Sequence, residues 1–317
     1  MEVADQGAHE TPILEQARKY QHWATRATGI ALGAGRCRQG GRRGQGGPGV
    51  VLDPPPGLLC RTRHSWSLLR GDAAGRRCLH RRSRHTVGVE YVDELWRRAS
   101  GVQPPLPLST VVIIGAAALL VVLVAWPVVR GLVTVCHEAG HAVAALLVGR
   151  KLSGIKLHSD TSGLTLTRGK PSGPGMVFTL VAGYPAASVI GLVAAWLAAA
   201  GYAAGALWSM VVLLALMLVK IRNLYGALVV VGTGAAIGVT TWFAPPSVTS
   251  GLALGLAWLF LLAAPRPVLE VARNRNPGTD SAQLARISGV PRLGWVLLWL
   301  VLTVGALVAG AWLLVPI

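Results

Sequence analysis

Residues 133–149 read VTVCHEAGHAVAALLVG, an apolar run long enough to form a helix that contains a His-Glu-x-x-His box. Residues four apart on a helix share one face, so His137 and His141 can direct two imidazole nitrogens at one ion. A catalytic zinc ion takes three protein ligands and keeps its fourth position for water. Glu138, beside the first histidine, is suited to accept a proton from that water. The box therefore indicates metal-assisted hydrolysis of a peptide bond.

The box has a structural alternative, in which the same side chains form a polar cluster without an ion. At this chain's own frequencies of histidine and glutamate, such a box arises by chance on the order of once in two hundred chains. Ionisable side chains are costly at membrane depth and usually mark functional sites, and here they interrupt an apolar segment. Both arguments favour the metal site.

The composition is that of a membrane protein. Of 317 residues, 52% are hydrophobic and 14% are charged, and the mean hydropathy is +0.52. The net charge of +17 is uneven, because residues 1–98 hold 17 of the 30 lysines and arginines. In membrane proteins a basic surplus in loops reports topology, so we expect the lipid bilayer as a partner and no nucleic acid.

Residues 1–88 differ from the rest of the chain. They are basic and rich in Gly, Arg and Pro, and no helical or strand period persists between Ala31 and His85. This composition predicts disorder, with an RNA-binding or anionic-lipid tail as the functional alternative. A further hypothesis is that the start is mis-assigned and that the native chain begins near Val89, which leaves residues 89–317 as the membrane domain.

Long apolar runs fill the remaining chain and predict an all-α polytopic membrane protein with six to seven transmembrane helices. The seven runs cover residues 110–129, 131–149, 175–200, 206–219, 223–243, 248–264 and 293–315. Most basic residues lie in alternate connections, whereas residues 201–205 and 244–247 carry no charge. The positive-inside rule then predicts a multi-pass protein of the cell membrane with a cytoplasmic N-terminus, and Arg130 is the exception.

Residues 151–167 alternate apolar and polar side chains around a turn-like centre and predict a cytoplasmic β-hairpin or extended loop. An edge strand near the metal could hold an extended substrate by backbone pairing. An ordinary connector explains the same pattern.

A third metal ligand must be sought elsewhere in the chain. Beyond residue 98 the acidic or imidazole side chains outside the box are Asp160, Glu270, Asp280 and His158. All four fall in connections that the charge rule assigns to one face. Asp280 opens an amphipathic run, where it could equally be a helix N-cap.

Several short elements together carry a family resemblance. They are His137-Glu138-Ala139-Gly140-His141-Ala142, Ala182-Gly183-Tyr184-Pro185-Ala186, Arg222-Asn223-Leu224-Tyr225-Gly226 and Thr279-Asp280-Ser281-Ala282-Gln283-Leu284-Ala285. Over residues 89–317 the chain resembles the site-2 protease-related (M50B-like) membrane zinc metallopeptidases of actinobacterial type. The resemblance implies that His137 and His141 bind Zn²⁺ and that Glu138 is the catalytic acid/base.

The chain departs from the better-known site-2 proteases in one respect. Those enzymes take their third ligand from a Leu-Asp-Gly element, whereas Asn223 occupies the comparable place here and is a poor zinc ligand. We therefore predict Asp280 as the third ligand.

The sequence as a whole predicts an intramembrane zinc metallopeptidase that acts on a membrane protein or peptide. A pseudoprotease scaffold and a transporter with a histidine metal or proton site are the alternatives. The transporter is disfavoured because the chain shows no internal repeat and no series of intramembrane acids.

Overall fold

A computed structural model describes residues 59–62, 65–68 and 86–315, and the chain divides into two units, Met1–Arg81 and Arg82–Ile317. In the first unit, strands β1 (Leu59–Thr62) and β2 (Ser65–Leu68) pair antiparallel, with Cys60 opposite Ser67. This hairpin differs from the absence of regular structure that we expected there. The other expectations for residues 1–88 concern residues that lie almost entirely outside the described ones, and they stay predictions.

Within residues 86–315 the second unit consists of eleven helices and one β-hairpin. The helices are α1 (Thr86–Ser100), α2 (Leu108–Val124), α3 (Trp126–Leu147), α4 (Pro174–Val181), α5 (Gly183–Ala199), α6 (Ala203–Leu218), α7 (Leu224–Phe243), α8 (Pro246–Ala263), α9 (Pro265–Arg273), α10 (Asp280–Ser288) and α11 (Arg292–Leu314). Strands β3 (Lys151–Leu157) and β4 (Gly163–Arg168) form the hairpin. The mainly helical fold and the predicted hairpin are confirmed.

The described residues contain three to five candidate membrane spans, so the predicted seven are not confirmed. Three are long enough alone: α7, α8 with α9, and α11. The pairs α2 with α3 and α4 with α5 qualify only together, and they bend by 100° and 56°. Helix α6 is apolar but shorter.

Proline accounts for the break between α4 and α5. Pro185 has no N–H with which to bond the carbonyl oxygen of Val181, four residues earlier. The indole nitrogen of Trp299 on α11 donates to that oxygen instead, at 2.9 Å. The broken ladder is thus satisfied by a tertiary hydrogen bond, which stabilises a bend in a segment whose hydropathy predicts one continuous helix.

The residues before α2 lie at a different end of the helical unit from the one that the charge rule predicts. The N–H of Gln103 donates to the carbonyl oxygen of Gly201, and the side chain of Gln103 accepts from Ser250. The residues before α2 therefore lie at the same end as connections 201–205 and 244–247, which the charge rule placed on the opposite side. Helix α2 runs alongside α8 in the same direction, because Gly115 packs on Trp258 and Arg266 donates to the carbonyl of Val122.

Arginines lie at both ends of this arrangement. Arg130, the exception under the charge rule, lies 3.2 Å from Glu270 at the opposite end. Arg97 and Arg98 are both paired with Glu94, and Arg98 also stacks on Trp242. Arg98 therefore lies at the end of the unit that holds Trp242, and the predicted alternation of the first and second spans is not confirmed.

Small residues let the site-bearing helices pack closely. A Cβ on Gly140 of α3 would lie 2.5 Å from the carbonyl oxygen of Ala182, between α4 and α5. Helix α5 in turn meets α8 through Gly191, whose Cβ would lie 3.0 Å from Leu261. Close backbone approach of this kind is typical of packing between membrane helices, and it fixes α3 against the break at Ala182.

The hairpin packs beside α3 with one edge covered. Ile155 lies opposite Thr165 in the β3–β4 register. The N–H of Ile155 donates to Lys220 and its carbonyl accepts from Arg222, at 2.8 and 2.9 Å, so residues 220–222 extend along β3. The side chain of Asn223 donates to and accepts from the backbone of Leu157. The outer edge of β4 carries no further strand among the described residues.

Candidate metal centre

The two histidines of the box face each other from successive turns of α3. Their Nε2 atoms lie 3.0 Å apart, and their rings meet edge to face with centroids 4.5 Å apart. His141 is buried, while the side chain of His137 is 21% exposed. The helical spacing thus brings the two nitrogens together as the sequence predicts.

Asp280 completes a group of three. Its Oδ2 atom lies 3.2 Å from the Nε2 atoms of both His137 and His141. Thr279 is the N-cap of α10, and its side chain accepts from the N–H of Ala282. The alternative in which Asp280 caps this helix is therefore wrong, and its carboxylate faces the histidines.

The other three candidates for a third ligand are engaged elsewhere. Glu270 accepts from Arg130 and from the indole of Trp126. Asp160 accepts from the backbone and hydroxyl of Ser162, and His158 contacts the same hydroxyl. Among the described residues, His137, His141 and Asp280 form the one group whose ligand atoms lie within 4.8 Å of one another.

The spacing and chemistry of these three side chains fit a zinc ion. A tetrahedral ion with ligands at about 2.1 Å needs donor atoms about 3.4 Å apart, close to the 3.0–3.2 Å seen here. The Nδ1 of His141 donates to the carbonyl oxygen of Thr179 at 2.7 Å, so Nε2 faces the other two ligands. A backbone partner for the second ring nitrogen is the usual support of a metal-binding histidine.

Asp280 also has the charge state that a ligand requires. Burial by itself raises the pKa of this carboxyl group. The charge of His141 and hydrogen bonds with both imidazoles outweigh burial and hold the pKa of Asp280 well below its usual range. The carboxylate is therefore ionised at neutral pH, as metal binding demands.

Glu138 is buried against the hairpin, with 4% of its surface exposed. The hydroxyl of Thr165 on β4 donates to its Oε2 atom at 2.6 Å. A Cβ on Gly163 would lie 2.5 Å from its Oε1 atom, so β4 can approach the carboxylate only with glycine at this position. Neither contact is apparent from the sequence, where the one signal is that the alternating pattern of β4 predicts a strand.

The Ala-Gly-Tyr element forms the opposite wall. A Cβ on Gly183 would lie 2.5 Å from Cε1 of His141 and 2.7 Å from Cε1 of His137. Tyr184 packs between His137 and Trp299, with ring centroids 4.7 and 4.3 Å away. The element coincides with the break between α4 and α5, and its small residue makes room for the imidazoles.

Helix α3 also holds the tip of the hairpin. Arg130 donates to the carbonyl of Asp160 at 3.3 Å and to the hydroxyl of Thr161. The hydroxyl of Thr134 donates to the carbonyl of Thr161 at 2.8 Å. These bonds lie one and two turns before His137, so a single helix carries the histidine box and fixes the strand that covers Glu138.

The chain also matches a known protein family. Residues 110–310 match the family described as Peptidase M50B-like, and the match covers more than half of the chain. The chain belongs to the Peptidase M50B-like family. Comparison of this M50B-like chain with curated proteins and with solved structures gives no match.

Proposed function

We propose that this M50B-like protein is an intramembrane zinc metallopeptidase that hydrolyses a peptide bond of a membrane-associated substrate. The observation that carries the proposal is the convergence of His137, His141 and Asp280 beside the buried carboxylate of Glu138. Family membership supports protease chemistry, and the apolar helices support a place in the membrane. In this proposal the protein is a polytopic protein of the cell membrane.

In the proposed reaction, His137, His141 and Asp280 hold the zinc ion. Zinc supplies Lewis acidity, which lowers the pKa of water to about 7 and polarises a carbonyl group. Glu138 accepts a proton from the attacking water as the new C–O bond forms. It then returns the proton to the leaving nitrogen as the C–N bond breaks, so the carboxylate is regenerated.

The substrate class follows from the surroundings of Glu138. Strand β4 covers this carboxylate, and its outer edge has free backbone groups among the described residues. An extended segment of a membrane protein or peptide can pair with such an edge and bring its backbone beside Glu138. The substrate in this proposal is therefore bound as a strand and not as a helix.

Zinc analysis of purified protein tests the metal site. We expect about one zinc per chain in the wild type and a loss of affinity above tenfold in Asp280→Ala, since even outer partners of a metal contribute roughly 10–100-fold. Glu270→Ala is the matched control, because that acid contacts Arg130 and Trp126. Equal zinc in wild type and Asp280→Ala would refute the ligand set.

Glu138→Gln separates proteolysis from the rival functions. The amide cannot accept the proton, so we expect cleavage of fluorescein-labelled casein in detergent to fall to background while zinc content stays at the wild-type level. Zinc binding without cleavage in the wild type would favour the pseudoprotease scaffold. Zinc flux into vesicles that persists in Glu138→Gln would favour the transporter.

A further inference from the structure

The catalytic carboxylate of the proposed function has a partner that lies outside the metal group. Thr165 is 27 residues from Glu138 along the chain, yet its hydroxyl donates to Oε2 at 2.6 Å and lies 3.2 Å from the backbone carbonyl of the same residue. The short distance to Oε2 is typical of an O–H bond to an ionised carboxylate. Among the described residues, the hairpin therefore supplies the hydrogen bond that the carboxylate of Glu138 accepts.

The position of Thr165 is itself fixed. Its register partner Ile155 is 1% exposed and has its N–H and C=O bonded to residues 220 and 222. The tip of the hairpin is held by Arg130 and Thr134 of α3. The hydroxyl thus belongs to a strand that is held along β3 and at the hairpin tip, which is what a group that orients another side chain requires.

Gly163 brings the same strand against the second oxygen. A Cβ there would lie 2.5 Å from Oε1 and 2.6 Å from Cγ of Glu138. The carboxyl torsion of a glutamate is otherwise broad, so an unassisted carboxylate samples many orientations. Contact from Thr165 at Oε2 and from Gly163 near Oε1 selects one of them.

We propose that Thr165 is a positioning residue, which holds the carboxylate of Glu138 in the orientation needed for proton transfer. The inference rests on the proposed function, because it assigns β4 a part in catalysis beyond substrate pairing. A base acts only when its oxygen is within hydrogen-bond reach of the proton it takes, so a misaligned carboxylate lowers turnover without changing substrate or zinc binding.

The test compares three hairpin variants. Thr165→Val keeps the shape and removes the hydroxyl, and Thr165→Ser restores it. Thr167→Val is the matched control, because Thr167 lies on the same face of β4 but bonds Arg150. With fluorescein-labelled casein we expect kcat of Thr165→Val to fall about 10–100-fold, with KM and zinc content unchanged. Thr165→Ser should recover most of kcat, and Thr167→Val should stay near the wild type.

A second measurement is independent of cleavage. The chain has seven glutamates, so carboxyl carbon-13 labelling gives few signals, and Glu138→Gln assigns the resonance of Glu138. This resonance should move in Thr165→Val and stay in place in Thr165→Ser and Thr167→Val. An unmoved resonance in Thr165→Val would overturn the inference, as would wild-type kcat, or a joint loss of zinc and activity that Thr167→Val reproduces. If the resonance moves in Thr165→Val but the wild type cleaves nothing, the contact with Thr165 is retained and the protease function is rejected.

Discussion

Gly183 shows how much a single residue constrains the metal centre. The virtual Cβ at this position falls within 2.5–2.7 Å of ring atoms of both histidines, closer than any side chain tolerates. A methyl group here must displace either the imidazoles or the start of α5. The glycine therefore belongs to the candidate metal site although it offers no ligand.

Gly183→Ala should consequently lose zinc. We expect affinity to fall by more than about tenfold, comparable to the loss of a supporting contact in other metal sites. Competition with a fluorescent zinc chelator measures the change. Gly232→Ala is the control, because nothing lies within 4 Å of its Cβ, and alanine in a helix favours folding by about 0.5–1 kcal/mol. Wild-type zinc affinity in Gly183→Ala would show that the imidazoles can move apart at no cost.

The contacts of Asn223, in the segment after α6, explain why this chain has no acid at the place comparable to a Leu-Asp-Gly element. Asn223 uses both ends of its carboxamide on the backbone of Leu157 and so holds β3 in place. The acid comes instead from the first residue of α10, where Thr279 performs the capping. Residue 223 thus supports the hairpin, and the acid that faces the histidines comes from a different element.

An acid placed at residue 223 should therefore not rescue the metal site. We expect Asp280→Ala combined with Asn223→Asp to bind as little zinc as Asp280→Ala alone. The new carboxylate would face the carbonyl of Leu157 and lose the donor that Asn223 provides. Recovery of zinc in the double variant, measured by elemental analysis, would mean that residue 223 can reach the histidines. Asn223→Asp alone serves as the control for folding.

These elements also show which parts of the candidate site can be predicted from the sequence. Helical spacing predicts the meeting of His137 and His141. The apolar domain contains so little charge that only four candidates remain for the third ligand, and the family resemblance favours Asp280 among them. Thr165 and Gly163 could not be predicted, since their roles depend on the packing of β4 against α3. Hydropathy predicts one span over residues 175–200. It cannot show the bend between α4 and α5, where the carbonyl oxygen of Val181 accepts its hydrogen bond from the distant Trp299.

For the whole molecule, the contacts near Gln103 imply a different passage through the membrane from the one that loop charge predicts. The start of α2 lies with residues 201 and 250, and the hairpin lies with residues 220–222 at the other end of α6. The first two predicted spans therefore do not form an antiparallel pair that crosses and returns. Helix α3, bent by 100° from α2, starts beside α9 and ends at the hairpin.

Cysteine labelling tests this arrangement. In a variant with its four cysteines replaced by serine, Val102→Cys and Pro245→Cys should react with a membrane-impermeant maleimide from the same side of oriented vesicles. Lys170→Cys, beyond β4, should react from the opposite side, because the length of α6 separates the two ends. All three positions are exposed. Labelling of residue 102 together with residue 170 would restore the topology predicted from charge.

Arg130 has a consequence for how the site can open. The Arg130 guanidinium bonds Glu270 of α9, the helix that precedes Asp280 along the chain. It also bonds the tip of the hairpin, which precedes Thr165 on β4. The segment that leads to Asp280 and the hairpin that carries Thr165 thus share contacts with one side chain. Under the proposed function, a polypeptide that displaces the hairpin would therefore also act on the segment that carries Asp280.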